Sequence, residues 1–352
     1  MRTKLLITNI NRLLKIDKWW VYKIGSGVFT LVLLKAIYSS DSTVTFNFSD
    51  LTLFSMLILL AVYGHFMNDY SDFEIDKIAG KSNIFNTIPK RIAPIVIVII
   101  GISVISISLW YFSIHVLLFV GLQLLCSILY SIPPFRFKER GLLALGLTGF
   151  YERSNPYIII FLCTLPNWYQ IELNKLVFVL FYLIWSYLWE CRNFLNGQLK
   201  DVEYDEQSDV KSIVIRIGKS QTIYVKKLLL ILELLLLTCW LVSLIIIEVN
   251  FAYFLLVVLI FQLIQVNGSR TRYRKIEIVL DNCYSNIFMA GFLITISILG
   301  IIDPYIAAGI IFFFQYRVIA DAIDFIYNRF RHVLIFFWKL WHGEFKKKNQ
   351  KN

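Results

Sequence analysis

Apolar runs of roughly 17–25 residues, each long enough to cross a ~30 Å hydrocarbon core as a helix, recur from Trp19 almost to the C-terminus. A chain built this way has a bilayer as its natural solvent. Its composition agrees: 58% of the 352 residues are hydrophobic and 17% charged, with 29 Phe, 19 Tyr and 9 Trp. That is more apolar and less charged than a soluble domain of ordinary make-up. Spans are expected near 20–40, 51–67, 92–112, 114–130, 142–165, 174–196, 224–247, 251–266, 285–302 and 305–320. The fold class is therefore all-α, a polytopic transmembrane bundle of nine or ten spans. One membrane domain, 19–320, is flanked by a basic interfacial segment at 1–18 and an aromatic, basic amphipathic tail at 321–352.

Charge gives the bundle a direction. Lys and Arg gather on alternate connections: Arg2 to Lys18; Lys77, Lys81, Lys90 and Arg91; Arg136, Lys138 and Arg140; Lys200, Lys211, Arg216 and Lys219; Arg270 to Lys275. The connections between them hold only Lys175. By the positive-inside rule the first set is cytoplasmic, and a basic tail on the same side requires an even count, ten rather than nine. The same rule accounts for the formal charge of +11, so nucleic acid is not an expected partner. The N-terminus lacks the short apolar core and small-residue cleavage site of a signal peptide. The five cysteines, Cys126, Cys163, Cys191, Cys239 and Cys283, are scattered without metal or disulfide spacing.

Two acidic clusters lie about 130 residues apart on the side assigned as cytoplasmic. The first, NDYSDFEID, closes the second span; if the helix continues past the membrane surface, Asp69, Asp72 and Asp76 at i, i+3 and i+7 share one face. The second, KDVEYDEQSD, follows the sixth span and places Asp201, Asp205 and Asp209 at i, i+4 and i+8. Like charges at such spacing destabilise a bare helix by a few tenths of a kcal/mol per pair. A cation is the simplest compensation. Carboxylates are hard ligands, and Mg²⁺ takes one or two of them together with water and substrate phosphates. Two opposed acidic faces could then hold a diphosphate between metal ions.

Between the fourth and fifth spans, YSIPPFRFKERG forms a proline-stiffened turn carrying Arg136, Lys138 and Arg140, with Tyr130 just inside it. These bases, with Lys77 and Lys81, are candidates for binding phosphate oxygens. Ionisable groups at membrane depth are costly and line interior cavities. Glu152 and Arg153 interrupt the fifth span, and Glu190, Arg192, Asn193 and Asn196 the sixth. Glu152 with Arg153, and Glu190 with Arg192, read equally well as structural ion pairs; Glu233, His65 and His115 suggest no role.

Taken together these segments resemble the UbiA superfamily of intramembrane prenyltransferases. NDYSDFEID fits that superfamily's NDxxDxxxD signature, KDVEYDEQSD its second DxxxD-type signature, and YSIPPFRFKERG its intervening basic turn; RNFLNGQLKD is similar to the approach to the second motif. The order and spacing agree over roughly 55–220. One departure follows the first motif, where NIFNTIPKRIAP stands in place of an Arg-Pro-Leu stretch and a Gly, leaving Arg91 as the substitute phosphate contact.

The resemblance implies a helical bundle around a cavity open to the cytoplasmic side and laterally to lipid, with Mg²⁺ as cofactor. Asn68, Asp69, Asp72 and Asp76 would serve one metal and Asp201 and Asp205 the other, the five aspartates being catalytic. Asn68, Lys77, Lys81, Tyr130, Arg136, Lys138, Arg192, Asn193 and Asp209 would contact substrate. The partners implied are a prenyl diphosphate donor, a lipophilic or aromatic acceptor, and membrane lipid. Glu152 or Glu190 could take the acceptor's proton. Competing readings are a prenyl-diphosphate cyclase of the same superfamily and, from another class, a cation channel or transporter. A phospholipid-head-group phosphotransferase is disfavoured because its DGxxAR signature is missing.

Overall fold

The computed structural model describes residues 20–38, 43–78, 80–81, 83–86, 88–207, 210–247 and 288–312. The basic segment 1–18, the span expected at 251–266, the tail 321–352, Cys283 and Asp209 lie outside them, as do parts of the spans expected at 285–302 and 305–320. Among the described residues every long element is a helix. A π-helical turn, Trp20–Gly25, leads into α1, Ser26–Tyr38, and α2 follows at Phe48–Ile78. Next come α3, Ala93–Tyr111, and α4, Ile114–Ser131. α5, Leu142–Gly149, runs through a second π-turn, Phe150–Ser154, into α6, Asn155–Thr164. α7 is Leu173–Gln207, α8 the short Ile213–Ile217, α9 Lys219–Ile247 and α10 Phe288–Ile298, with further helix at 304–312.

Among the described residues four helices are long and apolar enough to cross a bilayer: α2, α4, α9 and the helix Lys90–Tyr111 that contains α3. α3 shows how lipid shapes them. Pro94 sits in its first turn, where a missing N–H costs nothing. Its buried residues, Ala93, Ile97, Gly101, Val104 and Ser108, recur every three or four positions along one stripe. Ile95, Val98, Ile99, Ile102 and Leu109 on its other faces are exposed, as a lipid-facing surface should be. Small residues on the stripe let helices approach closely where hydrocarbon offers no hydrophobic drive for association.

α7 and α9 pack along their lengths around stacked aromatics: Trp185 and Trp240 lie 5.6 Å apart at 8°, with Phe178 and Tyr182 against Trp240. α5 approaches α7 so closely at Gly149 that a Cβ there would fall 2.6 Å from the Cys191 sulfur. These contacts hold α7 in place, and α2 packs against α3 and α4. Both α2 and α7 run well past the expected ends of their apolar stretches, α2 to Ile78 and α7 to Gln207, carrying the acidic clusters on continuous helix.

The span expected at 142–165 is interrupted where its charges occur. Glu152 and Arg153 sit in the π-turn Phe150–Ser154.

Candidate active site

The last turns of α2 and of α7 face each other across a cavity of about 550 Å³. Asn68, Asp69, Asp72 and Asp76 line it from α2, Gln198, Asp201, Tyr204 and Asp205 from α7, Tyr130 from the end of α4, and Lys81, Arg136 and Lys138 from the connections between. Helical spacing puts each set of carboxylates on one face, and tertiary packing turns the two faces together.

The first face is held tightly. The segment after α2 folds back over it: Asn83, buried, donates its amide to the Asp69 carbonyl at 2.7 Å and to Asp76 Oδ2 at 2.8 Å, and the Ile84 N–H donates to Asp69 Oδ2 at 3.0 Å. Phe85 anchors that segment edge-on against Phe66 and Tyr70. Asp72 accepts from Lys138 Nζ at 2.5 Å and from Arg136 Nη2 at 2.9 Å. Lys138 also donates to Asn68 Oδ1 at 3.1 Å. The basic turn can reach α2 because Arg136 takes a left-handed backbone, φ 38°, ψ 55°, and because Arg136 pairs with Glu139 within the turn. A non-glycine residue in that region is uncommon and characteristic of a constrained functional turn. Burial by itself would depress the Arg136 guanidinium, yet the neighbouring Glu139 and Asp72 carboxylates carry it above its ordinary value. For Lys138 burial prevails and pulls the ammonium below its ordinary value, against the opposing charge of Asp72.

The second face is looser. Asp201, with its side chain 49% exposed, pairs with Lys81 at 3.5 Å, and Lys81 lies 5.0 Å over the Tyr204 ring. Asp205 has a buried Oδ2 without a hydrogen-bond partner among the described residues. Burial pushes its carboxyl above the usual range, with Ser212 beside it opposing and the Asp201 charge adding to the effect.

An orphaned buried carboxylate oxygen next to a second carboxylate fits a divalent cation. Among the described residues no three His, Cys, Asp or Glu side chains converge into a complete cage. Mg²⁺ ordinarily completes its shell with water and substrate phosphate. All five carboxylates line the cavity, Asp69 and Asp76 each giving one oxygen to the 83–84 segment and Asp72 giving Oδ1 to Lys138 and Arg136.

Other expected contacts fall elsewhere. Lys77, Arg91 and Asn193 are exposed and outside the cavity lining. Arg192 is fully buried and pairs with Glu233 on α9 at 2.6 and 3.2 Å. The ion pairs within the bundle are crossed relative to the sequence reading: Arg153 joins Glu190 at 2.8 Å, Arg192 joins Glu233, and Glu152 pairs with Lys23 of the first π-turn. Asn83, Gln198, Tyr204 and Ser212 went unrecognised in the sequence. Gln198 and Tyr204 stand three residues either side of Asp201, which would have placed them on its face.

Fold and site together define an all-helical integral membrane protein whose acidic helix ends enclose a basic-lined cavity. The chain belongs to the UbiA prenyltransferase family, whose model matches residues 27–281. It is, in that general sense, a prenyltransferase. A search of curated protein sequences finds no match. Among solved structures, a UbiA homolog from Archaeoglobus fulgidus bound to DMAPP and Mg²⁺ is similar at a TM-score of 0.54 and 12% identity, covering 82% of this chain and 99% of that one. The same homolog bound to GPP and Mg²⁺ gives the same figures. A digeranylgeranylglyceryl phosphate synthase is similar at a TM-score of 0.53 and 18% identity, covering 82% and 98%. At these identities the likeness is one of fold.

Proposed function

We propose that the protein is a multi-pass membrane enzyme that transfers a prenyl group from a prenyl diphosphate to a lipophilic or aromatic acceptor, releasing diphosphate, in a Mg²⁺-dependent reaction on the cytoplasmic side. The observation that carries this reading is the opposition of two acidic helix ends across one cavity, with bases already paired to them. The Archaeoglobus fulgidus homolog of the same fold, solved with DMAPP or GPP and Mg²⁺, supports the donor class.

Asn68, Asp69, Asp72 and Asp76 would serve one metal ion and Asp201 and Asp205 the other. Bound Mg²⁺ supplies positive charge against the charge that grows on the departing diphosphate. Lys138, Arg136 and Lys81 bind phosphate oxygens from fixed positions, and preorganised donors of this kind are usually the largest electrostatic contribution to such a reaction. Tyr130, at the membrane side of the cavity, offers an aromatic face to the allylic cation and helps keep water from it.

The test uses purified protein in lipid with radiolabelled prenyl diphosphates of several lengths, Mg²⁺ or EDTA, and a host lipid extract as acceptor. Mg²⁺-dependent diphosphate release, abolished by Asp72→Ala and by Asp205→Ala, is expected, with label in a transfer product. Release with label only in a cyclised product would move the assignment to a cyclase. No release from any donor by folded protein would end the enzyme reading.

A further inference from the structure

A second, smaller cavity of about 50 Å³ lies among residues of the expected spans, bounded by the first π-turn, α1, α2, α4, the second π-turn and α6. Its walls are mainly Ile24, Leu57, Leu60, Ala61 and Ile160, yet Lys23, Glu152 and Arg153 all face it. Lys23 and Glu152 are ion-paired. Each sits in one of the two π-turns, Trp20–Gly25 and Phe150–Ser154. π-Helical geometry occupies well under 1% of residues and concentrates at functional sites. Two such turns that meet through their only charged pair, at a depth where charge is costly, are not explained by packing.

The two cavities adjoin. Tyr130 lines the larger and Tyr151 the smaller, with ring centroids 5.1 Å apart, and Tyr130 lies within electrostatic reach of both Asp72 and Glu152. The charges around the small cavity are compensated in pairs, Lys23 with Glu152 and Arg153 with Glu190. An anionic ligand would find no net positive charge there, whereas a hydroxyl would find a donor in Lys23 and an acceptor in Glu152. About 50 Å³ exceeds the ~10–15 Å³ that one water needs, so the space suits a small polar head whose tail extends into the membrane.

Resting on the prenyl-transfer reading, we propose that this cavity is the acceptor site, that it takes a lipid or arene presenting a neutral hydroxyl, and that Glu152 is the catalytic base. The C1–O bond to diphosphate breaks, its electrons leaving with the diphosphate, and the acceptor oxygen then forms its bond to C1 of the allylic cation. The hydroxyl proton passes to the Glu152 carboxylate and returns to solvent between turnovers. Lys23 is a positioning residue that holds the carboxylate toward the acceptor.

The experiment uses full-length protein in lipid nanodiscs, with geranyl diphosphate as donor probe and a host lipid extract split into neutral and anionic fractions. Mg²⁺-dependent donor binding and labelled product are measured separately for wild type, Glu152→Gln and the double variant Lys23→Gln with Glu152→Gln, which keeps the site uncharged and able to fold. Expected are product from the neutral fraction only, donor affinity within twofold of wild type in both variants, and a loss of transfer of at least 100-fold, with Glu152→Asp restoring part of it. Product from the anionic fraction alone, or from neither fraction, overturns the acceptor class. Wild-type transfer in the variants, or loss of donor binding with transfer, overturns the role of Glu152. Failure of wild-type protein to bind the donor with Mg²⁺ would instead overturn the prenyl-transfer reading beneath it.

Discussion

The two acidic faces are alike in sequence and unlike in structure. On α2, Asp72 receives two cations, Asp69 and Asp76 are tied to the 83–84 segment, and the face is rigid before any ligand arrives. On α7, Asp201 has one distant lysine and Asp205 a buried oxygen without a partner among the described residues. Carboxylates repel in both places, but α2 is compensated by the protein's own bases, whereas α7 leaves part of that compensation to a ligand. The difference suggests a division of labour: the first face with the basic turn is a preformed diphosphate cradle, and the second is completed as metal and substrate bind.

This contrast can be broken. Asp72→Ala should cost the most, about 10³-fold in kcat, because it removes a ligand and leaves Lys138 without its carboxylate partner. Single-turnover diphosphate release would measure it, and a smaller loss than that of Asp205→Ala would reverse the assignment of the rigid face. Lys138→Met should lower kcat/KM for the donor about 10- to 100-fold, with weaker donor affinity, since a charge-assisted bond to phosphate is lost; an unchanged KM would place Lys138 outside the cradle. Asn83→Ala should reduce the thermal midpoint by about 2–4 °C, as expected for loss of about 1 kcal/mol from a buried hydrogen-bonding group. It should also weaken activity through the first face alone.

The smallest effect concerns pH. Burial raises the Asp205 carboxyl above its unfolded value, so its charged form is a cost to the folded protein at neutral pH, relieved as pH falls through the raised value. In EDTA at pH 7, Asp205→Asn should therefore raise the melting temperature, by about 1–2 °C. The difference should fade below the ordinary carboxylate range near pH ~4. Excess Mg²⁺ should reverse its sign, because the wild-type carboxylate then gains a partner. A variant less stable than wild type in EDTA would mean that Asp205 is already compensated, and the contrast between the faces would fail.

Much of the site was legible because it is local. Helical spacing alone set Asp69, Asp72 and Asp76 on one face, and the prolines of YSIPPFRFKERG marked the basic turn as a turn. What escaped was non-local. Asn83 became a pillar of the first face only because the chain folds back over α2, a reversal that leaves no periodic trace. Arg192 looked like an approach to the second motif, but its rotational position on α7 points it to Glu233 rather than the cavity. Glu152 and Arg153, adjacent in sequence, found partners on different elements, since neighbouring helical residues do not face each other.

From the sequence by itself follow the bilayer as solvent, helices as the building elements, the side on which the basic connections gather, and the residue types able to hold a diphosphate. Each is set by composition or by a period of a few residues. Only the tertiary structure decided which charges pair, that one acidic face is compensated and the other only in part, and that a second cavity opens where two π-turns meet. Those outcomes depend on the rotation and depth of whole helices relative to one another, and that geometry is settled by packing across the bundle.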